Sequence, residues 1–108
     1  MAIRLVASDM DGTFLDECER VPEGALDLVR RLRDADIRFV ASSGRRYDTL
    51  CELFEPVADC MDFVASNGAQ VYVEGELADL EVFSHAAVRR LACIVDEYGA
   101  MHLALFDE

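Results

Sequence analysis

The chain has 108 residues, a hydrophobic content of 53% and a formal net charge of −12, from 10 basic and 22 acidic side chains. That apolar content is too high for a disordered tail, and 30% charged residues without a long apolar run argue against a membrane span. The negative charge repels phosphate backbones and anionic lipid, so we expect neither nucleic acid nor a membrane as a partner.

The first predicted strand covers residues 3–8, which are β-prone and lead into an acidic turn, D-M-D-G-T, at residues 9–13. Pro22 suits the first turn of a helix. An apolar stripe at helical spacing follows it, formed by Leu26, Val29 and Leu32. The N-terminus therefore predicts a strand, an acidic loop and an amphipathic helix.

Two more strands are predicted, each followed by small polar residues. Residues 37–41 form the second strand and end at S-S-G-R, residues 42–45. A short helix is predicted over residues 47–54, and the third strand, residues 63–65, ends at S-N-G. The alternation β-α-β-α-β predicts a parallel sheet with right-handed crossovers.

The last third begins with a predicted β-hairpin, in which residues 71–73 and 80–83 flank a turn at residues 74–76. Ser84 is the predicted N-cap of a helix that Gly99 ends. After the helix, a strand is indicated by the alternating residues Met101, Leu103 and Leu105.

Polar side chains follow all three predicted parallel strands, where ligands bind in such sheets. Asp9 and Asp11 can point the same way, and two close carboxylates suit Mg²⁺, which leaves room for a substrate phosphate. One carboxylate could attack phosphorus while the other moves a proton. Gly12 would let the backbone approach phosphate and Thr13 would hold the turn. The alternative is a solvated acidic turn.

The second and third strand ends offer groups for an anion. Ser43 supplies a hydroxyl, Gly44 a bare backbone N–H at a helix start, and Arg45 a positive charge. Read from the residues alone, S-S-G is equally an ordinary strand-to-helix turn. Asn67 and Gly68 are likewise equally a turn that tolerates positive φ.

The cysteines lack a C-x-x-C spacing, and the N-terminus lacks the pattern of a signal peptide. We therefore expect a cytoplasmic protein with reduced thiols at Cys18, Cys51, Cys60 and Cys93.

These motifs, in this order and spacing, resemble the haloacid dehalogenase-like hydrolases. Residues 9–13 look like the first family motif, residues 42–45 resemble the second, and S-N-G-A at residues 66–69 is similar to a segment of the Cof-type subfamily. The resemblance implies an α/β fold: an incomplete Rossmann-like core with a β-hairpin at residues 1–83, and the start of a C2-type cap at residues 84–108.

The resemblance also implies an activity, a Mg²⁺-dependent hydrolysis of small phosphate monoesters, sugar phosphates among them, through an aspartyl-phosphate. By resemblance Asp9 is the nucleophile and a metal ligand. Asp11 is the general acid/base, and its carbonyl binds the metal. Ser43 holds the phosphoryl group, and Arg45 and Asn67 line the substrate side.

The chain departs from the family pattern after its hairpin. All ten basic residues are arginine, so the family's phosphate-contacting lysine has no counterpart, and neither has its later acidic motif. We therefore expect an N-terminal piece of a phosphatase, inactive alone, whose exposed sheet edge favours self-association.

Three alternatives remain open at this point. The chain could be a catalytically incomplete piece that binds phosphate or a partner. It could be a phosphotransferase or mutase of the same superfamily. A signalling receiver domain fits less well, because receivers carry the acceptor Asp after the third strand and a Lys after the fifth.

Overall fold

A computed structural model describes residues 2–106 and contains one five-stranded sheet. The strands lie side by side in chain order: β1 (Leu5–Asp9), β2 (Arg38–Ser42), β3 (Asp62–Ala65), β4 (Gln70–Val73) and β5 (Glu76–Leu80). β1, β2 and β3 are parallel, whereas β4 and β5 are antiparallel to their neighbours. The carboxyl ends of the three parallel strands therefore share one edge of the sheet.

Two helices connect the parallel strands, as the α/β pattern predicts, and a third follows the hairpin. They are α1 (Ala25–Asp34) between β1 and β2, α2 (Tyr47–Leu53) between β2 and β3, and α3 (His85–Tyr98) after the hairpin. A short 3-10 helix, Glu55–Cys60, follows α2. Two arginines of α1 hold this 3-10 helix in place. Arg30 donates to the Pro56 carbonyl at 3.1 Å, and Arg33 donates to the Asp59 carbonyl at 2.9 Å.

The core lies between the sheet and the two crossover helices. The ring of Phe54 lies 6.0 Å from that of Phe14 and 6.4 Å from that of Phe63. Met10, at the centre of the acidic motif, is fully buried. The largest fully buried side chains are Phe54, Phe63, Met10, Leu50, Val29 and Val57. The motif is thus anchored in the core by the residue between its two aspartates.

A charged cluster supports the opposite end of the sheet. The Asp62 side chain is 10% exposed and accepts hydrogen bonds from Arg38 Nε at 2.7 Å and Nη2 at 3.1 Å, and from the Glu74 backbone N–H at 2.9 Å. Burial raises the pKa of Asp62, but these hydrogen bonds outweigh it, so the pKa lies below its usual range. The cluster ties β2, β3 and the hairpin together.

Apolar side chains are exposed at the start of β1 and just before it, and β1 is an outer strand of this sheet. Ile3 is 69% exposed and Leu5 is 54% exposed. An outer strand carries backbone groups that can pair with a further strand. Self-association through this edge stays a prediction.

The predicted caps of α3 are confirmed. Ser84 Oγ accepts the backbone N–H of Ala87 at 3.2 Å, and Gly99 ends the helix in a left-handed conformation at φ 65°. None of the α3 residues is buried. Among residues 2–106, no helix combines the length and the apolarity that crossing a bilayer requires.

Three sequence expectations are wrong. Pro22 is not in α1: its carbonyl accepts the Ala25 N–H in a turn before the helix, and α1 starts only after Gly24, whose φ of 82° no helix interior allows. The second hairpin strand is β5, not residues 80–83. It starts at once after Glu74 and Gly75, because both have positive φ and reverse the chain in two residues.

The third error concerns the predicted strand at Met101, Leu103 and Leu105. Residues 101–106 have no regular secondary structure, because no strand of the described sheet pairs with them. The Arg46 guanidinium instead lies over the ring of Phe106, 4.8 Å from its centroid. Residues 107 and 108 lie outside the described part of the chain.

Candidate active site

The acidic motif forms a wide turn after β1, in which one side chain is buried and its two neighbours are exposed to solvent. Met10 is buried, whereas Asp9 and Asp11 are exposed on either side of it. Gly12 takes a φ of 75°, and the Leu15 N–H donates to the Met10 carbonyl at 3.0 Å to close the turn. The turn therefore presents both carboxylates at the carboxyl end of β1.

Thr13 fixes the first carboxylate. Its Oγ1 donates to Asp9 Oδ2 at 2.9 Å. This bond occupies one oxygen of Asp9 and orients the side chain, which leaves Oδ1 as the oxygen directed to other partners. This hydrogen bond is the contact through which Thr13 can hold the turn, as expected from the sequence.

An arginine clasp joins the turns after β1 and β2. Arg45 donates through Nε to Asp11 Oδ2 at 2.9 Å and through Nη2 to Asp11 Oδ1 at 2.5 Å. This hydrogen bond lowers the pKa of Asp11, against a smaller opposing effect of burial. It also raises the pKa of Arg45. The contact with Arg45 therefore favours the ionised form of Asp11.

Ser43 joins the turn after β2 to β3. Its backbone N–H donates to the Val64 carbonyl at 2.9 Å, and its Oγ accepts the Arg45 backbone N–H at 3.0 Å. The residue is only 7% exposed, so its position is fixed by packing. Because the hydroxyl accepts this bond, its own proton remains a donor that could meet an anion.

The turn after β3 closes on the turn after β2. The Ser66 N–H donates to the Arg45 carbonyl at 2.9 Å, and the Asn67 N–H donates to the Ser43 carbonyl at 3.1 Å. Asn67 has a φ of 57°, and its side chain lies against Gly44. The predicted convergence of the three strand ends therefore holds, because hydrogen bonds connect all three turns.

Sequence reasoning missed Glu19. Its Oε2 lies 3.4 Å from Arg45 Nη2, so the guanidinium sits between two carboxylates, those of Asp11 and Glu19. The sequence predicts only an irregular loop here. The one signal available in the sequence is Asp16, because an aspartate side chain often accepts hydrogen bonds within a tight turn. Its presence does not show which residue of the turn is directed toward Arg45.

The donor set fits a hard cation in kind, because Asp9 and Asp11 offer carboxylate oxygens of the type that Mg²⁺ prefers. It is incomplete in number. Within residues 2–106, His, Cys, Asp and Glu side chains form no group of three that could hold a metal ion. A cation held by these two aspartates would need further oxygen ligands, such as water or a substrate phosphate.

Comparison with known proteins agrees with the geometry. Residues 6–108 match the family model described as haloacid dehalogenase-like hydrolase. Over 77 residues the chain is 40% identical to the 5-amino-6-(5-phospho-D-ribitylamino)uracil phosphatase YbjI of Escherichia coli. The matched segment covers 70% of this chain and 28% of that protein. It is 30% identical over 105 residues to the phosphoglycolate phosphatase of Methanospirillum hungatei, covering 95% of this chain and 45% of the relative. The chain thus spans less than half the length of these curated relatives.

Solved structures share the fold. SMU.1108c of Streptococcus mutans superimposes with a TM-score of 0.81 at 26% identity, over 89% of this chain and 36% of that one. A haloacid dehalogenase-like hydrolase of Bacillus subtilis gives a TM-score of 0.79 at 24% identity, over 90% and 34% of the two chains. The parallel strands, the hairpin and the motif match thus lead to one assignment: the chain belongs to the haloacid dehalogenase-like hydrolases.

Proposed function

We propose that the protein hydrolyses small phosphate monoesters, sugar phosphates among them, through an aspartyl-phosphate on Asp9. The observation that carries the proposal is the turn after β1, where buried Met10 holds two exposed carboxylates beside the donors of the neighbouring turns. The named phosphatases among the relatives support the reaction class. The substrates of those relatives are not assigned to this protein. For this protein we propose only a substrate class, the small phosphate monoesters.

In the first step, Asp9 attacks phosphorus, and the bond between phosphorus and the ester oxygen breaks. The leaving oxygen takes a proton from Asp11. In the second step, Asp11 removes a proton from water, which attacks phosphorus and releases Asp9 and inorganic phosphate. The Arg45 clasp favours the ionised Asp11 of the second step, so the first step requires Arg45 to leave Asp11.

The neighbouring turns supply the donors for the phosphoryl group. We assign phosphate contacts to the Ser43 hydroxyl and to the backbone at Gly12 and Gly44, since neither glycine carries a side chain of its own. Thr13 acts through Asp9, which it orients. Arg45 and Asn67 line the substrate side, because their turns meet beside Ser43. Such fixed donors stabilise charge on the transferred group.

Enzymes of this superfamily generally use Mg²⁺. Asp9 and the Asp11 carbonyl would hold the ion, which would supply charge neutralisation on the phosphoryl oxygens. Residues 1–83 are assigned to the core and residues 84–108 to the start of a cap. The exposed α3 is consistent with this division. The proposed location is the cytoplasm, because all four cysteines are free thiols.

Asp9→Asn in the protein at its natural length tests the mechanism. Because the amide cannot form the phosphoenzyme, we expect turnover of p-nitrophenyl phosphate to fall by on the order of a thousandfold or more. Asp79→Asn, an exposed change in β5, is the control and should keep full activity. Wild-type turnover by Asp9→Asn would refute the mechanism.

A phosphotransferase is the second candidate. The chain is 32% identical over 79 residues to a phosphomannomutase of Babesia bovis, covering 71% of this chain and 32% of that protein. Reaction in ¹⁸O-water with an added sugar acceptor separates the two. A hydrolase releases labelled inorganic phosphate, whereas a transferase moves the phosphoryl group to the sugar.

A further inference from the structure

The loop after the acidic motif presents Glu19 through a tightly bonded turn. Asp16 Oδ1 accepts the N–H groups of Cys18 at 2.8 Å and Arg20 at 2.9 Å. The Asp16 N–H donates to the Arg20 carbonyl and its carbonyl accepts the Glu19 N–H, both at 2.9 Å. Glu19 itself has a φ of 59°. A glutamate adopts positive φ only where its surroundings hold it there, and this turn does so.

The Glu19 carboxylate meets the guanidinium that holds Asp11. The 3.4 Å contact reaches Arg45 Nη2, the same nitrogen that donates to Asp11. The Arg45 side chain is 23% exposed, and its charge is flanked by two carboxylates that are themselves open to solvent. Nε and Nη2 of Arg45 thus already face carboxylates, so a phosphate anion would compete with two negative charges for this guanidinium.

We propose that Glu19 is a positioning residue that keeps Arg45 on Asp11 and competes with phosphate for the guanidinium. The inference rests on the proposed function, because that function makes phosphate the ligand of this site. Glu19 itself binds no phosphate, because both groups are anionic. Removing its charge leaves Arg45 with one carboxylate partner, so the guanidinium exchanges more readily onto an incoming anion.

Glu19→Gln tests the competition, because glutamine keeps the size of the side chain and loses its charge. The probe is inorganic phosphate, titrated calorimetrically into the protein at its natural length with saturating Mg²⁺. Exposed ion pairs contribute about 0.2–1 kcal/mol, so we expect Kd to fall by roughly 1.4- to fivefold. The gain should shrink at high salt, where the ion pair is screened.

Glu17→Gln is the matched control. It removes one charge from the same loop, and Glu17 is exposed and has no side-chain hydrogen bond or ion pair within residues 2–106. We expect its Kd to stay at the wild-type value. Equal affinities for the two variants, weaker binding by Glu19→Gln, or no phosphate binding by any of the proteins would overturn the inference.

A second measurement follows Arg45 directly, without phosphate. The Nε–H of Arg45 gives its own NMR signal, and its exchange with water reports how firmly the clasp is held. We expect exchange to become faster in Glu19→Gln and to return toward wild type in Glu19→Asp. An unchanged Arg45 signal would refute the positioning role.

The two proposals fail separately. Glu19 can govern phosphate affinity even if Asp9→Asn leaves turnover intact, which would remove the mechanism and keep this inference. Conversely, loss of turnover in Asp9→Asn with no effect of Glu19→Gln on phosphate affinity would keep the mechanism and remove the role of Glu19.

Discussion

Gly44 and Asn67 lie in direct contact across the turns that follow β2 and β3. A Cβ placed on Gly44 would be 2.9 Å from Asn67 Oδ1 and 3.3 Å from its Nδ2. Real Cβ atoms do not approach other atoms so closely, so glycine at this position is what lets the Asn67 side chain occupy the site. Backbone hydrogen bonds join the two turns, and the absence of a Cβ at Gly44 makes room between them for the Asn67 amide.

We expect Gly44→Ala to fold and to bind substrate poorly. The atom that must move is the end of a side chain, so the free energy of unfolding should change by less than about 1 kcal/mol. The displaced Asn67 should raise KM by about tenfold. Steady-state kinetics and urea denaturation measure the two effects.

The control for Gly44→Ala is a double-mutant cycle with Asn67→Ala. If Gly44 acts through Asn67, the double variant should be no worse than Asn67→Ala alone. Additive losses would show that Gly44 acts in another way, such as through its own backbone.

Thr13→Val should reduce turnover without unfolding the chain. Valine has nearly the same shape but lacks the hydroxyl that donates to Asp9 Oδ2 at 2.9 Å. Losing one hydrogen bond to a charged group costs about 1.5–3 kcal/mol. If this cost is added to the activation barrier, kcat should fall roughly tenfold to a hundredfold. Thr13→Ser keeps the donor and should keep most of the activity. Equal activity in the two variants would argue against an orienting role for Thr13.

Asp62→Asn should lower the free energy of unfolding and make it depend less on pH under acidic conditions. The carboxylate accepts hydrogen bonds from Arg38 and from the Glu74 backbone, which hold its pKa below the usual range. A depressed pKa stabilises the fold above the unfolded value, near pH 4, and this stabilisation is lost as the pH falls through the folded value.

We expect Asp62→Asn to lower the free energy of unfolding at pH 7 by about 1–2 kcal/mol, a range kept modest because Arg38 is partly exposed to water. Below pH 4 its curve should be flatter than that of the wild type. Urea denaturation from pH 2 to pH 7 measures both, with Asp79→Asn as the control. A parallel pH dependence in wild type and Asp62→Asn would contradict the prediction.

Ser84→Ala should destabilise α3 selectively. The hydroxyl that caps the Ala87 N–H is lost, at a cost of about 1 kcal/mol. Hydrogen exchange should accelerate in the first turn of α3 and remain unchanged in β2 and β3. Ser84→Asp retains a capping oxygen and should protect the helix. Uniform acceleration in all elements would mean that α3 does not open independently.

Tyr47 should titrate at unusually high pH. Its ring stacks on Tyr72 with centroids 3.5 Å apart. The neighbouring Cys51 thiol, together with burial, raises the pKa of Tyr47 to about 12. Because the folded pKa is raised, the associated stability is present below the unfolded value near pH 10 and is lost as the pH rises.

Tyr47→Phe should therefore remove one titration step above pH 11, followed by the phenolic ¹³Cζ shift, and keep the stacking. Cys51→Ala should move the remaining Tyr47 step to lower pH. A Tyr47 midpoint near pH 10 in the wild-type protein would contradict the prediction.

The chemistry-bearing turns were predictable because polar residues directly follow short apolar strands. Asp9, Ser43 and Asn67 each sit at such a boundary, and parallel pairing brings the boundaries to one edge. Hydrogen bonds connect the three turns, and their binding of a phosphate stays a prediction.

Glu19 and β5 could not be predicted in the same way, for a reason that lies in the backbone. Glu19 contacts Arg45 from a backbone with positive φ, and β5 starts early because Glu74 and Gly75 both reverse the chain. Side-chain hydrophobicity carries no information on these angles, and residues 80–83 look more like a strand than Glu76–Leu80. The strand expected at residues 101–105 lacked a described partner to pair with.

The order of the strands has a consequence for biosynthesis. Each strand of this sheet pairs with the strand made just before it, from β1 through β5. No strand waits for a later one to be inserted between two others, so pairing can keep pace with the ribosome. The loop carrying Asn67 is the last of the three turns to be synthesised, so the candidate site can assemble only after this loop has left the ribosome.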